Sequence, residues 1–181
     1  MTLVFLAMIL SMNDQTGWLF IDTAFVIFVV AGLTDIADGK IARKYDVTSK
    51  FGRMVDPLAD KILVCGAFIC FAIIGEPKLF SFGPKTLTMI HWSFAGIIAA
   101  REMFVTVLRH WAEAKGINFA ATASGKLKMA LQAFAIGTVM VKMAHVQTAM
   151  WGYWFTSITF ILTIAATVIS GVLSVRKTKG S

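Results

Sequence analysis

Long apolar stretches joined by short basic connectors dominate this 181-residue sequence and leave it few ways to fold. A bilayer-spanning helix needs about 20 mostly apolar residues. The chain supplies that length over Trp18 to about Ala42, Met54 to Ile74, Thr86 to about Trp111, Ser124 to Ala144 and Met150 to Val175. Met1 to Met12 is also apolar but about half as long. It reads as the remainder of a first span whose beginning is absent from the chain. Apolar residues make up 57% of the sequence and charged residues 15%, against about 45–50% and 25% in soluble domains. A chain this short has too much surface to hide that excess from water. The composition excludes a disordered chain and argues against a water-soluble enzyme. It predicts an all-α polytopic membrane helix bundle, with six transmembrane helices of which the first is incomplete, forming a single domain over residues 1–181.

The charges give an orientation. One set of connectors carries Arg43, Lys44, Lys50 and Arg53, then Arg109, Lys115, Lys126 and Lys128, then Arg176, Lys177 and Lys179, whereas the opposite set carries only Lys78, Lys85 and Lys142. Basic loops stay in the cytoplasm, so the 43–53 and 112–124 connectors and the C-terminus are expected there. Trp18, Trp92, Trp111, Trp151 and Trp154 mostly fall near span ends, as interfacial anchors do. The net charge of +7 is spread between apolar runs rather than gathered in a stripe, so membrane topology accounts for it and nucleic-acid binding is not expected. Cys65 and Cys70 would point apart on a helix, against a disulfide. No secretory cleavage pattern and no internal repeat is visible.

Four of the ten acidic residues lie in the segment LTDIADGKIARKYDVTSKFGRMVDPLADKILV. Asp35 and Asp38 are three apart and Asp56 and Asp60 four apart, so each pair shares one helix face. The short turn between them is expected to make the two helices antiparallel neighbours, with both pairs converging near the membrane surface. Converging carboxylates repel and are costly near hydrocarbon. A hard divalent cation, Mg²⁺ or Mn²⁺, would neutralise them, especially with a substrate phosphate completing its shell. The alternative is pairing with Lys40, Arg43, Arg53 and Lys61. Gly39, Ala42 and Gly52 would let a bulky ligand approach closely, or serve ordinary helix packing. Arg43 suits a diphosphate.

The pattern Asp35-x2-Asp38-Gly39-x2-Ala42-Arg43-x8-Gly52-x3-Asp56-x3-Asp60 resembles the signature of the CDP-alcohol phosphotransferase family at every fixed position. The resemblance implies a six-helix integral membrane enzyme, usually a homodimer among membrane lipids, in a bacterial cytoplasmic membrane with its site facing the cytoplasm. It implies that Asp35, Asp38 and Asp56 hold the divalent metal, and that Asp60 is the general base and a ligand to a second ion. It further implies that Asp35, Gly39, Ala42, Arg43 and Gly52 contact the CDP moiety of the lipid. The chemistry suits those residues. The phosphorus of a lipid–CDP diphosphate must become electrophilic and the CMP leaving group must carry charge, both of which metals assist. A carboxylate beside the incoming hydroxyl would take its proton.

Farther along, Arg101-Glu102-x6-Arg109 and Gly125-Lys126-x-Lys128, with Gln132 one turn on, resemble the branch of that family that joins CDP-diacylglycerol to sn-glycerol 3-phosphate. Such an acceptor phosphate must leave bulk water and needs fixed cations close to the membrane face; Arg101, Arg109, Lys126 and Lys128, at the expected cytoplasmic ends of two consecutive spans, are the candidates, with Glu102 pairing with one of them. Positive-inside topology would equally explain such cations. Inositol phosphate, phosphatidylglycerol and serine are the alternative acceptors, and a small cation or proton transporter is the alternative from another class. Family members usually open with an amphipathic segment and a complete first helix, so the opening inside a span is expected to reflect a fragment or a misassigned start. His91, His110 and His145 are dispersed, His110 with Glu113 reads as an interfacial pair, and Asp14 and Asp22 read as solvated or interfacial.

Overall fold

The computed structural model describes residues 1–13, 15–44, 50–80, 82–115 and 123–179; within its helices the side chains of 35, 36, 38–44, 50–60, 113, 114, 123 and 177–179 lie outside the described set. The described residues form six helices and no strand: α1 (Thr2–Leu10), α2 (Trp18–Lys44), α3 (Lys50–Ile74), α4 (Pro84–Ala114), α5 (Ala123–His145) and α6 (Met150–Lys179).

Their ends follow local chemistry. The Ser11 hydroxyl donates to the Met8 carbonyl at 2.8 Å as α1 stops, and the Gln15 N–H donates to Asn13 Oδ1 at 3.0 Å in the turn that follows. Gly75 closes α3 in the left-handed region, φ 75°, where a side chain would be strained. This lets the Glu76 N–H return to the Phe71 carbonyl at 3.0 Å, the bond that caps a helix C-terminus. Pro84 then opens α4 at the first helical position, where the N–H it lacks would have no partner within the helix.

Helix α1 packs against α2 and α3, α3 against α4, α4 against α6, α6 against α5, and α5 against α2. The helices therefore close a ring in the order α1-α3-α4-α6-α5-α2, with α3 also touching α5 across it. Aromatic side chains fill the interior: Phe94 stacks on Phe160 at 4.2 Å between ring centroids and meets Phe68 edge-on at 4.9 Å. Short α1 belongs to this core, since Phe5 and Ile9 are fully buried.

The outside inverts the rule for soluble proteins. Leu19, Val26 and Leu33 on α2 and Trp151, Ile158, Ile161 and Ile169 on α6 are all exposed, while Glu102, Lys128, Gln132, Thr163 and Ser170 are buried. An apolar exterior of this extent is untenable in water and natural in lipid, so the chain is a membrane protein. All five tryptophans are exposed or at the surface of their helices. Among the described residues, Ser124–His145 and Met150–Arg176 have the length and apolarity to cross a bilayer, with mean hydropathies of 1.3 and 2.2. Trp18–Thr34 and Lys61–Ile74 are shorter apolar stretches. Helix α4 is long enough at 31 residues, but Lys85, His91, Arg101, Glu102 and Arg109 interrupt its apolar run.

The α1–α3 seam depends on Gly66, where a Cβ would lie 2.8 Å from Leu6 Cδ1. We expect Gly66→Leu to lower unfolding stability in detergent by about 1–3 kcal/mol through overpacking, and Leu6→Ala to restore part of that loss. Equal loss with and without Leu6 would place the strain elsewhere.

Candidate active site

The aspartates of the sequence signature occupy two helix ends. Asp35 and Asp38, with Gly39, Ala42 and Arg43, fall in the C-terminal half of α2, and Gly52, Asp56 and Asp60 in the first half of α3. Both helices pack against α1 and against α5, which sets them on either side of the same two neighbours. The eight side chains themselves, and the connector 45–49, lie outside the described residues. Among the described residues no group of three or more His, Cys, Asp or Glu is placed to hold a metal.

Immediately beyond Asp60, the half-buried Lys61 is the first member of a polar cluster between the helices. The Lys61 ammonium donates to Thr106 Oγ1 on α4, and the Thr106 hydroxyl donates to the Glu102 carbonyl at 2.6 Å. The Glu102 carboxylate is the centre of the cluster. Its Oε1 accepts from Lys128 Nζ of α5 and from Arg101 Nη1 at 3.0 Å. The other fork of Arg101 reaches α6, where Nη2 donates to Ser170 Oγ at 2.8 Å. Helices α4, α5 and α6 thus meet through one carboxylate and its partners, and α3 joins them at Thr106. The cluster lies deep: Glu102 is about 18 Å of helix rise below the end of α4 at Ala114.

Burial makes this arrangement consequential. The side chains of Glu102, Lys128 and Arg101 are only 9%, 5% and 12% exposed. Charges so far from water persist only when paired and hydrogen-bonded. Among the described residues two cations, Arg101 and Lys128, share the one carboxylate of Glu102, and Lys61 stands one contact away on Thr106. Two buried donors, Arg101 Nε and Gln132 Nε2, meet no hydrogen-bond acceptor among the described residues. Buried donors of that kind are rare in folded proteins, and an anion is the natural complement to them.

Of the four cations expected to receive an acceptor phosphate, the fold unites Arg101 and Lys128. Lys126 is exposed, two residues before Lys128 and therefore on another face of α5. Arg109 is half-buried, two turns nearer the end of α4 than Arg101. Glu102 pairs with two cations rather than one. Two further members were missed from sequence, Thr106 and Ser170. A signal for Ser170 exists in the hydroxyls of Thr156, Thr159, Thr163, Thr167, Ser170 and Ser174, which recur every three or four residues and form one buried stripe along α6. Most donate back within their own helix, as Thr163 does to Thr159 O at 2.8 Å, which leaves a slim face for α4 and α5. Gly171 continues it, with the Arg101 Cγ 3.5 Å from where a Cβ would stand.

At the opposite end of the bundle, Asp22 of α2 meets His145 of α5, Oδ1 to Nε2 at 3.0 Å, so this acid read as interfacial is half of a surface pair. His91 is buried and its Nε2 lies 3.0 Å from the Pro77 carbonyl, which ties the α3–α4 connector to α4. The side chain of Glu113, the expected partner of His110, and Asp14 lie outside the described residues.

A family model described as CDP-alcohol phosphatidyltransferase matches residues 1–169. The chain is 34% identical over 152 residues to a "Probable phosphatidylglycerophosphate synthase" of Mycobacterium tuberculosis (strain ATCC 25618 / H37Rv), covering 82% of this chain and 62% of that one. It is 30% identical over 146 residues to a "CDP-diacylglycerol–glycerol-3-phosphate 3-phosphatidyltransferase" of Bacillus subtilis (strain 168), covering 81% and 68%. A protein of the same name from Haemophilus influenzae is 32% identical over 117 residues, covering 64% and 57%. The chain therefore spans about three-fifths of the length of the mycobacterial relative.

Proposed function

The chain belongs to the CDP-alcohol phosphatidyltransferase family, and from that premise we propose that it transfers the phosphatidyl group of CDP-diacylglycerol to sn-glycerol 3-phosphate, releasing CMP. The pairing of Arg101 and Lys128 with the buried Glu102, beside Lys61 on Thr106, carries this reading. A dianionic acceptor needs fixed cations to replace its water, which serine does not; inositol phosphate would meet the same cations, and competition between the two acceptors separates them. The names of the relatives support the same acceptor.

In this proposal a hydroxyl oxygen of glycerol 3-phosphate attacks the phosphatidyl phosphorus, the bond from that phosphorus to the CMP oxygen breaks, and Asp60 takes the hydroxyl proton. Arg43 and the small residues Gly39, Ala42 and Gly52 receive the CDP moiety beside Asp35. The donor set Asp35, Asp38, Asp56 and Asp60 is all hard carboxylate oxygen, which fits Mg²⁺ or Mn²⁺. Such an ion, when bound, supplies positive charge to the diphosphate oxygens. Glu102 holds Arg101 and Lys128 in position, while Arg109 and Lys126 extend the cationic surface toward water.

Six membrane spans, a single domain over residues 1–181, a homodimer as the family resemblance implies, and a bacterial inner-membrane location with the site on the cytoplasmic face complete the reading. The basic connectors at the aspartate-bearing end support that orientation. Purified protein supplied with CDP-diacylglycerol and competing glycerol 3-phosphate, inositol phosphate and serine should form product with glycerol 3-phosphate. Arg101→Ala or Lys126→Ala should raise the KM for that acceptor, or lower kcat/KM, about tenfold or more, equivalent to about 1.4 kcal/mol, with much less change for CDP-diacylglycerol. Unchanged acceptor kinetics in both inserted variants would make these cations topology signals and remove the acceptor assignment.

A further inference from the structure

The guanidinium of Arg101 is held at two points. Nη1 donates to Oε1 of its neighbour Glu102 at 3.0 Å, and that oxygen is shared with Lys128. Nη2 donates to Ser170 Oγ on α6 at 2.8 Å. A planar group held by one hydrogen bond can swing about it, and a second bond from another helix fixes its plane.

Ser170 is set up to accept. It is 1% exposed, and its own hydroxyl donates to the Thr167 carbonyl at 3.0 Å. That contact commits the proton and leaves a lone pair for Arg101. Beside it Gly171 gives the Arg101 stem room, with Cγ 3.5 Å from where a Cβ would stand. Helix α6 therefore receives both the stem and one nitrogen of the guanidinium. The two anchors leave Nε over, a buried donor that meets no acceptor among the described residues. Gln132 Nε2, one turn from Lys128 on α5, is in the same condition.

We propose that Ser170 is a positioning residue for the acceptor, holding the Arg101 guanidinium so that Nε is presented to the phosphate of glycerol 3-phosphate. This role rests on the acceptor proposed above. An arginine head on its long stem loses rotamer freedom when it grips an anion, and fixing it beforehand removes that cost from binding. The glycerol carbons separate the acceptor phosphate from the attacking hydroxyl. The contact is therefore alike before and during transfer, and its loss falls on KM rather than on kcat.

Acceptor kinetics of the full chain in detergent, with CDP-diacylglycerol saturating, test the role in Ser170→Ala, Arg101→Ala and the double variant. Ser170→Ala should raise the KM for glycerol 3-phosphate about fivefold, with kcat within about twofold of the parent and the CDP-diacylglycerol KM unchanged. In the Arg101→Ala background the same substitution should leave that KM unaltered, because Ser170 acts through the guanidinium. Ser170→Cys, close in size but a weak acceptor, carries the same expectation and decides the matter if Ser170→Ala fails to insert. A parental KM in the Ser170 variants, an equal rise with and without Arg101, or a loss confined to kcat would overturn the proposal. If Arg101→Ala raises KM while the Ser170 variants stay parental, the positioning role alone fails. If Arg101→Ala and Lys126→Ala are parental as well, the acceptor assignment fails with it.

Discussion

Exhaustive chelation is expected to abolish CMP release from CDP-diacylglycerol, and Mg²⁺ or Mn²⁺ to restore it. Asp35→Asn, Asp38→Asn and Asp56→Asn should each reduce turnover roughly 10³-fold while still inserting in the membrane, comparable to removing a principal electrostatic contact of a transition state. The expectation follows from charge. Asp35 and Asp38 stand one turn apart on α2, and Asp56 and Asp60 one turn apart on α3. Asparagine keeps the shape of each side chain and removes its charge, so a loss of turnover reports on cation binding rather than on packing. Measured release of radiolabelled CMP after chelation decides the matter: full turnover in EDTA would defeat the metal assignment.

The second large effect should appear in stability. Replacing Glu102 with Gln leaves Lys128 without its carboxylate and Arg101 with Ser170 as its remaining partner among the contacts described. Removing one partner of a buried ion pair costs about 3–5 kcal/mol, because the orphaned charge stays out of water. Thermal unfolding in detergent should show that loss in Glu102→Gln, and the double variant Glu102→Gln with Lys128→Gln should recover much of it. A single variant that unfolds at the parent temperature would mean that water reaches the cluster and that its charges are not interdependent.

Helix limits were highly legible in the sequence. The run expected from Met150 to Val175 is α6 from Met150 to Lys179, and the run from Ser124 to Ala144 is α5 from Ala123 to His145. Apolar runs and their Gly, Pro and basic punctuation are local signals, and helices are local structures. The sequence also singled out Arg101, Lys128 and Glu102, through the spacing of Arg101-Glu102-x6-Arg109 and Gly125-Lys126-x-Lys128. It could not show that Glu102 bridges both cations. That contact joins residues 26 positions apart, and it depends on the rotation of α4 against α5. Ser170 was less visible still, since a hydroxyl that can satisfy itself within its helix carries no obvious cost in an apolar span.

The ring order of the helices bears on synthesis. Besides α1, the neighbour on which α2 packs is α5, which begins at Ala123, whereas α2 begins at Trp18. A ribosome adding about 5–20 residues per second needs roughly 5–20 s to cover that interval. For that time the face of α2 destined for α5 has no permanent cover, and the same helix carries Asp35 and Asp38. The nascent chain therefore passes through a stage in which a helix carrying ionisable groups in its apolar run waits for a partner, and an insertion factor or quality-control protease would have its opportunity then.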